Sequence, residues 1–94
     1  MLIQLTQYEF DVTKSVANFA KHGVSMRDAD DFDWETADIW QDNRCAYPEP
    51  RFVTLGLIEA RLHVMVFCYR GKKIRIISLR KANAREEQKY ADKN

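Results

Sequence analysis

The stretch from Arg51 to Arg85, RFVTLGLIEARLHVMVFCYRGKKIRIISLRKANAR, leaves few ways to fold. Three apolar runs rich in Val, Ile and Leu are separated by short polar turns, and basic residues bracket each run. Runs of this length, composition and spacing read as an antiparallel meander. Strands are expected near 51–57, 61–69 and 74–80, with turns at Ile58-Glu59-Ala60 and Arg70-Gly71-Lys72. In the middle strand Leu62, Val64, Val66 and Cys68 share one face, expected to be the core. Arg61, His63, Met65, Phe67 and Tyr69 share the other. An antiparallel sheet can keep one face on a core and offer the second to a ligand.

The remainder of the chain supplies helices to pack on that sheet. Tyr8-Glu9-Phe10 suits a short strand. Asp11 is placed to N-cap a helix over 12–22, whose Val12, Val16, Phe19 and Ala20 form one apolar stripe. Gly23 follows as a left-handed stop, with Lys21 and His22 in the last turn. Ser25 caps a second short helix with Met26, Ala29 and Phe32 on its apolar face. Residues 37–41 alternate loosely as a strand. Asn43 to Pro50 is a loop, because Pro48 and Pro50 cannot donate ladder bonds. Asn83 and Glu86 have capping-box spacing for a last helix, fraying from Ala91 onward. Trp34 and Trp40 are read as core residues. The whole is one α+β domain over residues 1–94, with helices on an antiparallel sheet of three to four strands and a C-terminal helix.

Charge is segregated along this domain. Residues 1–50 carry four Lys/Arg against ten Asp/Glu, a net of −6, and residues 51–94 carry eleven against four, a net of +7. A basic half of this kind suits a polyanion partner. With three glycines in all, the chain has no glycine-rich phosphate cradle, and it lacks the nucleophile-elbow and zinc-protease motifs. His22 and His63 lie far apart, so neither a metal nor a cofactor is expected. Cys45 and Cys68 form no disulfide framework or metal spacing and read as reduced thiols. No apolar run reaches the ~20 residues of a membrane span, and the N-terminus lacks a leader's basic start and long apolar centre. These features place the protein in the cytoplasm.

The residues left for chemistry are arginines near strand ends, two histidines and Glu49, which is stiffened between Pro48 and Pro50 beside Arg51. Arginine forks suit phosphates. A carboxylate or imidazole can take a proton. Such a set suits metal-free RNA cleavage, in which the ribose 2′-OH is the nucleophile and DNA is left uncut. Arg75, Arg80 and Arg85 with Lys72, Lys73 and Lys81 form the densest basic run. In a regular strand Arg75 and Arg80 point to opposite faces. Both can line one site only if the strand ends or bulges before Arg80.

An early YEFD, then NFAKHGVSMRDADDFDW, EPRFVTLG and RLHVMVFCYRGKKIRIISLRKANAREEQKY together resemble the BrnT family of type II toxin–antitoxin ribonucleases, from about residue 8 to about residue 91. The resemblance implies a RelE-like fold and metal-independent endoribonuclease activity that arrests translation. It also implies a cognate BrnA-like antitoxin with a DNA-binding domain, a hetero-oligomer with it, and contact with operator DNA only through it. By position, Glu49, Arg61, Arg75 and Arg80 are the catalytic candidates. Lys21, His22, Arg51, His63, Arg85 and Tyr90 are the substrate-binding candidates. The competing expectations are a non-catalytic module that docks a DNA-binding partner, and a plain nucleic-acid binder.

Overall fold

The computed structural model describes residues 7–93. The opening residues 1–6, read above as lacking a leader, and Asn94 lie outside them. Within that range the chain runs β1 (Tyr8–Glu9), α1 (Val12–His22), a 3₁₀ turn (Met26–Asp31), β2 (Phe32–Gln41), β3 (Phe52–Ile58), β4 (Arg61–Arg70), β5 (Lys73–Lys81) and α2 (Ala84–Lys93). The five strands form one sheet in the order β1-β5-β4-β3-β2.

The meander forms as the alternation predicts, with two-residue turns at Glu59-Ala60 and Gly71-Lys72 joining antiparallel strands. The sheet is larger than the three to four strands expected, and it is mixed. β1 adds in parallel beside β5, pairing Tyr8 with Ile74 and Glu9 with Arg75. β2 starts at Phe32 rather than Ala37, because Phe32 and Asp33 already pair with Ile58 and Leu57. Its register breaks between Asp33 and Asp38, which conceals the strand from a period-two reading.

Local caps behave as the sequence dictates. Asp11 accepts from the Lys14 N–H at 3.1 Å, and Gly23 stops α1 at φ 70°. Ser25 caps its segment, but that segment is 3₁₀ rather than α-helical. At α2 the box closes in both directions. The Glu86 N–H donates to Asn83 Oδ1 at 2.8 Å, and the Asn83 N–H donates to Glu86 Oε1 at 2.9 Å. The helix continues to Lys93 without fraying at Ala91.

The deepest core lies on the sheet face opposite to the one expected. Met65 and Phe67 are fully buried, packed with Met26, Ala29, Phe32, Ile76 and Leu79. We call this the core face. The other face, which carries Leu62, Val64, Val66 and Cys68, is covered at one end by α2, where Tyr90 packs on Leu55, Leu62, Val64 and Ala82. The rest of it forms the floor of a groove.

Helix α1 departs from its amphipathic reading. Val12, Val16 and Phe19 point outward, 71%, 66% and 58% exposed, and its one buried residue is Asn18. The Asn18 amide donates to the Leu79 and Val24 carbonyls at 2.8 and 3.0 Å, and its oxygen accepts from the Leu79 N–H at 3.2 Å. One side chain thus takes the place of a neighbouring strand where β1 stops, and α1 lies along the β5 edge as a wall.

Candidate functional site

The register builds the groove floor row by row. Across β3, β4 and β5 the pairings Val53–Val66–Ser78 and Leu55–Val64–Arg80 give two rows, with Trp40 and Asp38 of β2 beside them. Cys68 pairs with Arg75 in a further row, and Arg51 leads into β3 next to it, its carbonyl accepting from the Asp42 N–H at 2.8 Å.

The arrangement turns on one extra residue. Val66 pairs with Ser78 and Phe67 with Ile76, so Ile77 has no partner on β4 and forms a bulge. A strand without a bulge alternates faces at each residue, and five steps would send Arg75 and Arg80 to opposite sides. The bulge absorbs one step. Both arginines therefore stand on the groove face, about 13 Å apart along the strand from four residues of β4 rise.

Among the described residues three cavities line this face. One, about 480 Å³, lies between α2 and the loop after β2, bounded by Trp40, Asp42, Arg44, Val53, Val64, Val66, Arg80 and Glu86. A second, about 370 Å³, runs along α1 and touches Lys14, Lys21, His22, Arg51 and Ser78. The third, about 120 Å³, is formed by Lys14, Glu49, Arg51, Cys68, Arg70 and Arg75. Lys14, Arg51 and Ile77 border both smaller cavities, which makes them one continuous basic surface.

Most of these cations carry an internal counter-ion. Arg80 grips Glu86 through two bonds of 2.8 Å, Nη1 to Oε1 and Nη2 to Oε2. Arg75 pairs with Glu9 at 2.8 Å, Arg70 with Glu49 at 2.9 Å, and Arg44 with Asp42 at 2.8 Å. The Arg44 side chain, its backbone N–H and the Tyr47 hydroxyl hold the Asp42 carboxyl well below the usual range against the opposing effect of burial. Arg80 lowers Glu86 in the same way. Burial, then the charges of Lys21 and Arg80, lower the His22 imidazole, which favours its neutral form. Burial raises the Cys68 thiol, which keeps it protonated and poorly nucleophilic.

Arg80 still has capacity. A guanidinium has five N–H donors. Glu86 takes two, and the Lys81 carbonyl takes another from Nη1 at 3.3 Å. The Nε–H and one Nη2–H, adjacent on one edge, have no partner among the described residues. That edge is a fork of the kind that binds two oxygens of one phosphate.

Of the residues singled out from sequence, Glu49, Arg51, Arg75, Arg80, Lys21 and His22 come together on the groove face. Arg61 does not. It opens β4 about 30 Å from Arg70 by strand rise, alternates with His63 onto the core face, and donates to the Ala82 carbonyl at 3.2 Å. His63 is buried there at 5% exposure, its Nδ1 2.8 Å from the Arg61 carbonyl. Arg85 is exposed on α2, and the Tyr90 hydroxyl donates to the Thr36 carbonyl at 2.9 Å. Sequence reasoning missed Lys14, Arg44, Arg70 and Glu86. Lys14 was findable, since it lies seven residues before Lys21 on the same helical side. Glu86 was visible only as a cap. Among the described residues no three His, Cys, Asp or Glu side chains are grouped to hold a metal, and no helix is long and apolar enough to cross a membrane.

A family model described as ribonuclease toxin, BrnT, of type II toxin–antitoxin system matches residues 10–86, most of the chain. The search of curated proteins gives no match.

Proposed function

The chain belongs to the BrnT family of type II toxin–antitoxin ribonucleases, and from that premise we propose that it is a metal-independent endoribonuclease whose groove face holds and cuts RNA. The observation that carries this reading is the Ile77 bulge, which sets Arg75 and Arg80 on one face, together with Arg51, Lys14 and Lys21. Their spacing suits a polynucleotide chain rather than one isolated phosphate.

The chemistry follows from what these groups can do. The ribose 2′-OH attacks the adjacent phosphorus, and the 5′-oxygen leaves. Arg51 and Arg75 stabilise the charge that gathers on the phosphoryl oxygens, where preorganised donors contribute most. Glu49 stands among them with Oε1 on Arg70 and accepts the 2′-OH proton. Lys14 and Lys21 bring ammonium donors toward the leaving oxygen. Arg80 anchors a neighbouring phosphate through its open edge. On this reading Arg61 and His63 support β4 and its junction with α2 and do not touch substrate. Cleavage of messages by this site arrests translation. A cognate antitoxin bearing a DNA-binding domain neutralises the toxin by covering the groove, and operator DNA is reached only through that partner.

The test is incubation of antitoxin-free protein with a defined RNA and its all-deoxy twin in EDTA. Only the RNA is cut, Arg75→Ala lowers the rate by about 10²-fold or more, the scale of losing a transition-state donor, and Arg80→Ala, which loses the anchor of a neighbouring phosphate, weakens RNA binding by about tenfold or more. Arg61→Ala still cuts. Cleavage of the deoxy strand, or full activity in both groove variants, overturns the site. The outward stripe of Val12, Val16 and Phe19 favours a protein-docking role as well. If RNA stays whole at large protein excess while the antitoxin binds, docking is the function that stands.

A further inference from the structure

We propose that the 480 Å³ cavity between α2 and the Asp42–Arg44 loop is a single-nucleotide subsite, with the base on its valine floor and the phosphate on Arg80. The proposal rests on the groove being an RNA surface and adds what this part of it recognises. Its volume falls within the ~300–1,000 Å³ common to small-ligand pockets.

The lining is divided as a nucleotide is divided. Val53, Val64 and Val66 come from two adjacent rows of the sheet and give an apolar floor. Trp40 stands beside them on β2, with the Lys89 ammonium 4.0 Å from the centre of its ring. An aromatic wall over an apolar floor takes a flat base without demanding a particular hydrogen-bond edge. At the rim stands Arg80, with two unclaimed N–H groups on one edge and a geometry fixed by Glu86.

The two carboxylates that line the cavity, Asp42 and Glu86, are already engaged. Asp42 Oδ1 accepts from the Arg44 N–H and Nε–H, and Oδ2 accepts from Arg44 Nη2 and the Tyr47 hydroxyl. Glu86 is held by Arg80 and by the Asn83 N–H. Gln41 and Asn43, both exposed, line the cavity with amide side chains that can distinguish one base edge from another. The basic cluster around Arg75 lies further along the same face. The subsite therefore holds a nucleotide flanking the scissile bond and contributes to sequence preference.

The experiment is NMR titration of the full chain with the four nucleoside 3′-monophosphates and, separately, with inorganic phosphate. The readouts are the methyl groups of Val53, Val64 and Val66 and the indole N–H of Trp40. At least one nucleotide is expected to shift all four groups, and phosphate at equal concentration to leave the methyls unmoved. Arg80→Gln weakens that nucleotide at least tenfold, and Val66→Phe, which fills the floor, removes the response. If Val66→Phe fails the folding check by circular dichroism, Val53→Leu replaces it. Silent methyls with every nucleotide at millimolar concentration, or shifts reproduced by phosphate alone, overturn the subsite. RNA cleavage with silent methyls overturns the subsite and leaves the ribonuclease reading intact. Methyl shifts without cleavage support the subsite and count against the ribonuclease.

Discussion

Glu59 and Ala60 hold φ angles of 48° and 66° in the two-residue turn between β3 and β4. A tight hairpin needs a left-handed pair there, and Asn-Gly meets that need with less strain than two residues carrying ordinary side chains. Glu59→Asn with Ala60→Gly should raise stability by about 1 kcal/mol, read as a higher urea midpoint at unchanged m-value. A lower midpoint would mean that the present turn is not strained. Gly56 gives the opposite case. A Cβ built on it would come 2.3 Å from Phe32 Cζ, because the ring lies directly on the backbone. Gly56→Ala should therefore cost about 1–3 kcal/mol by overpacking, and adding Phe32→Leu should recover part of the loss. No recovery in the double variant would place the cost elsewhere.

Among the elements, the β5 edge is the most exacting. Asn18 satisfies both backbone groups of Leu79 from within a helix. Asn18→Leu leaves a buried N–H and C=O unpaired and should cost about 2–4 kcal/mol. A loss below about 0.5 kcal/mol, within the range of ordinary surface changes, would show that water takes over the edge. Deleting Ile77 makes a sharper test of the bulge. The β4 partners of Arg75, Ile76, Ser78 and Arg80 need not change, so the shortened chain should keep its fold by circular dichroism while losing cleavage. The loss follows from the changed twist and from removing a side chain that borders two cavities. Wild-type cleavage by the deletion would show that the bulge only accommodates length.

These elements also show where the sequence was informative. The meander was legible because Val, Ile and Leu alternate without interruption, and α1 and α2 because Asp11, Gly23, Asn83 and Glu86 occupy cap positions. The first half of β2 was hidden by the register break after Asp33. The orientation of α1 was hidden because its contact with the sheet is polar, through Asn18, so its apolar stripe pointed the wrong way. Glu49, Arg51, Arg75 and Arg80 could be named as candidates from charge and position. Their gathering on one face depends on a bulge that period-two reading cannot locate. Arg61 and His63 were placed together correctly, but on the face that became the core.

For the molecule as a whole, pairing the arginines with carboxylates makes the stability depend on pH. Asp42 and Glu86 have folded-state values depressed below their unfolded ones. Their contribution is complete above the unfolded values, about 3.9 for Asp and 4.3 for Glu, and is lost as pH falls through these toward the folded ones. Urea midpoints should decline slightly from pH 7 to pH 5, as the unfolded chain protonates His22 while the folded one resists it, and should fall further between pH 5 and pH 3. Asp42→Asn and Glu86→Gln should each begin lower at pH 7 and fall less. An unaltered fall in both would assign the acid loss to other carboxylates.

The sheet order also implies a sequence of events during folding. β3, β4 and β5 are joined by two-residue turns and need only local closure, which is fast. The wall α1 depends on contacts such as Asn18 with Leu79, separated by 61 positions. A helix made early in this domain must therefore wait for a strand made after it. Until that strand arrives the groove has no second side, so the β3–β4 hairpin can form on the nascent chain before the basic surface is assembled.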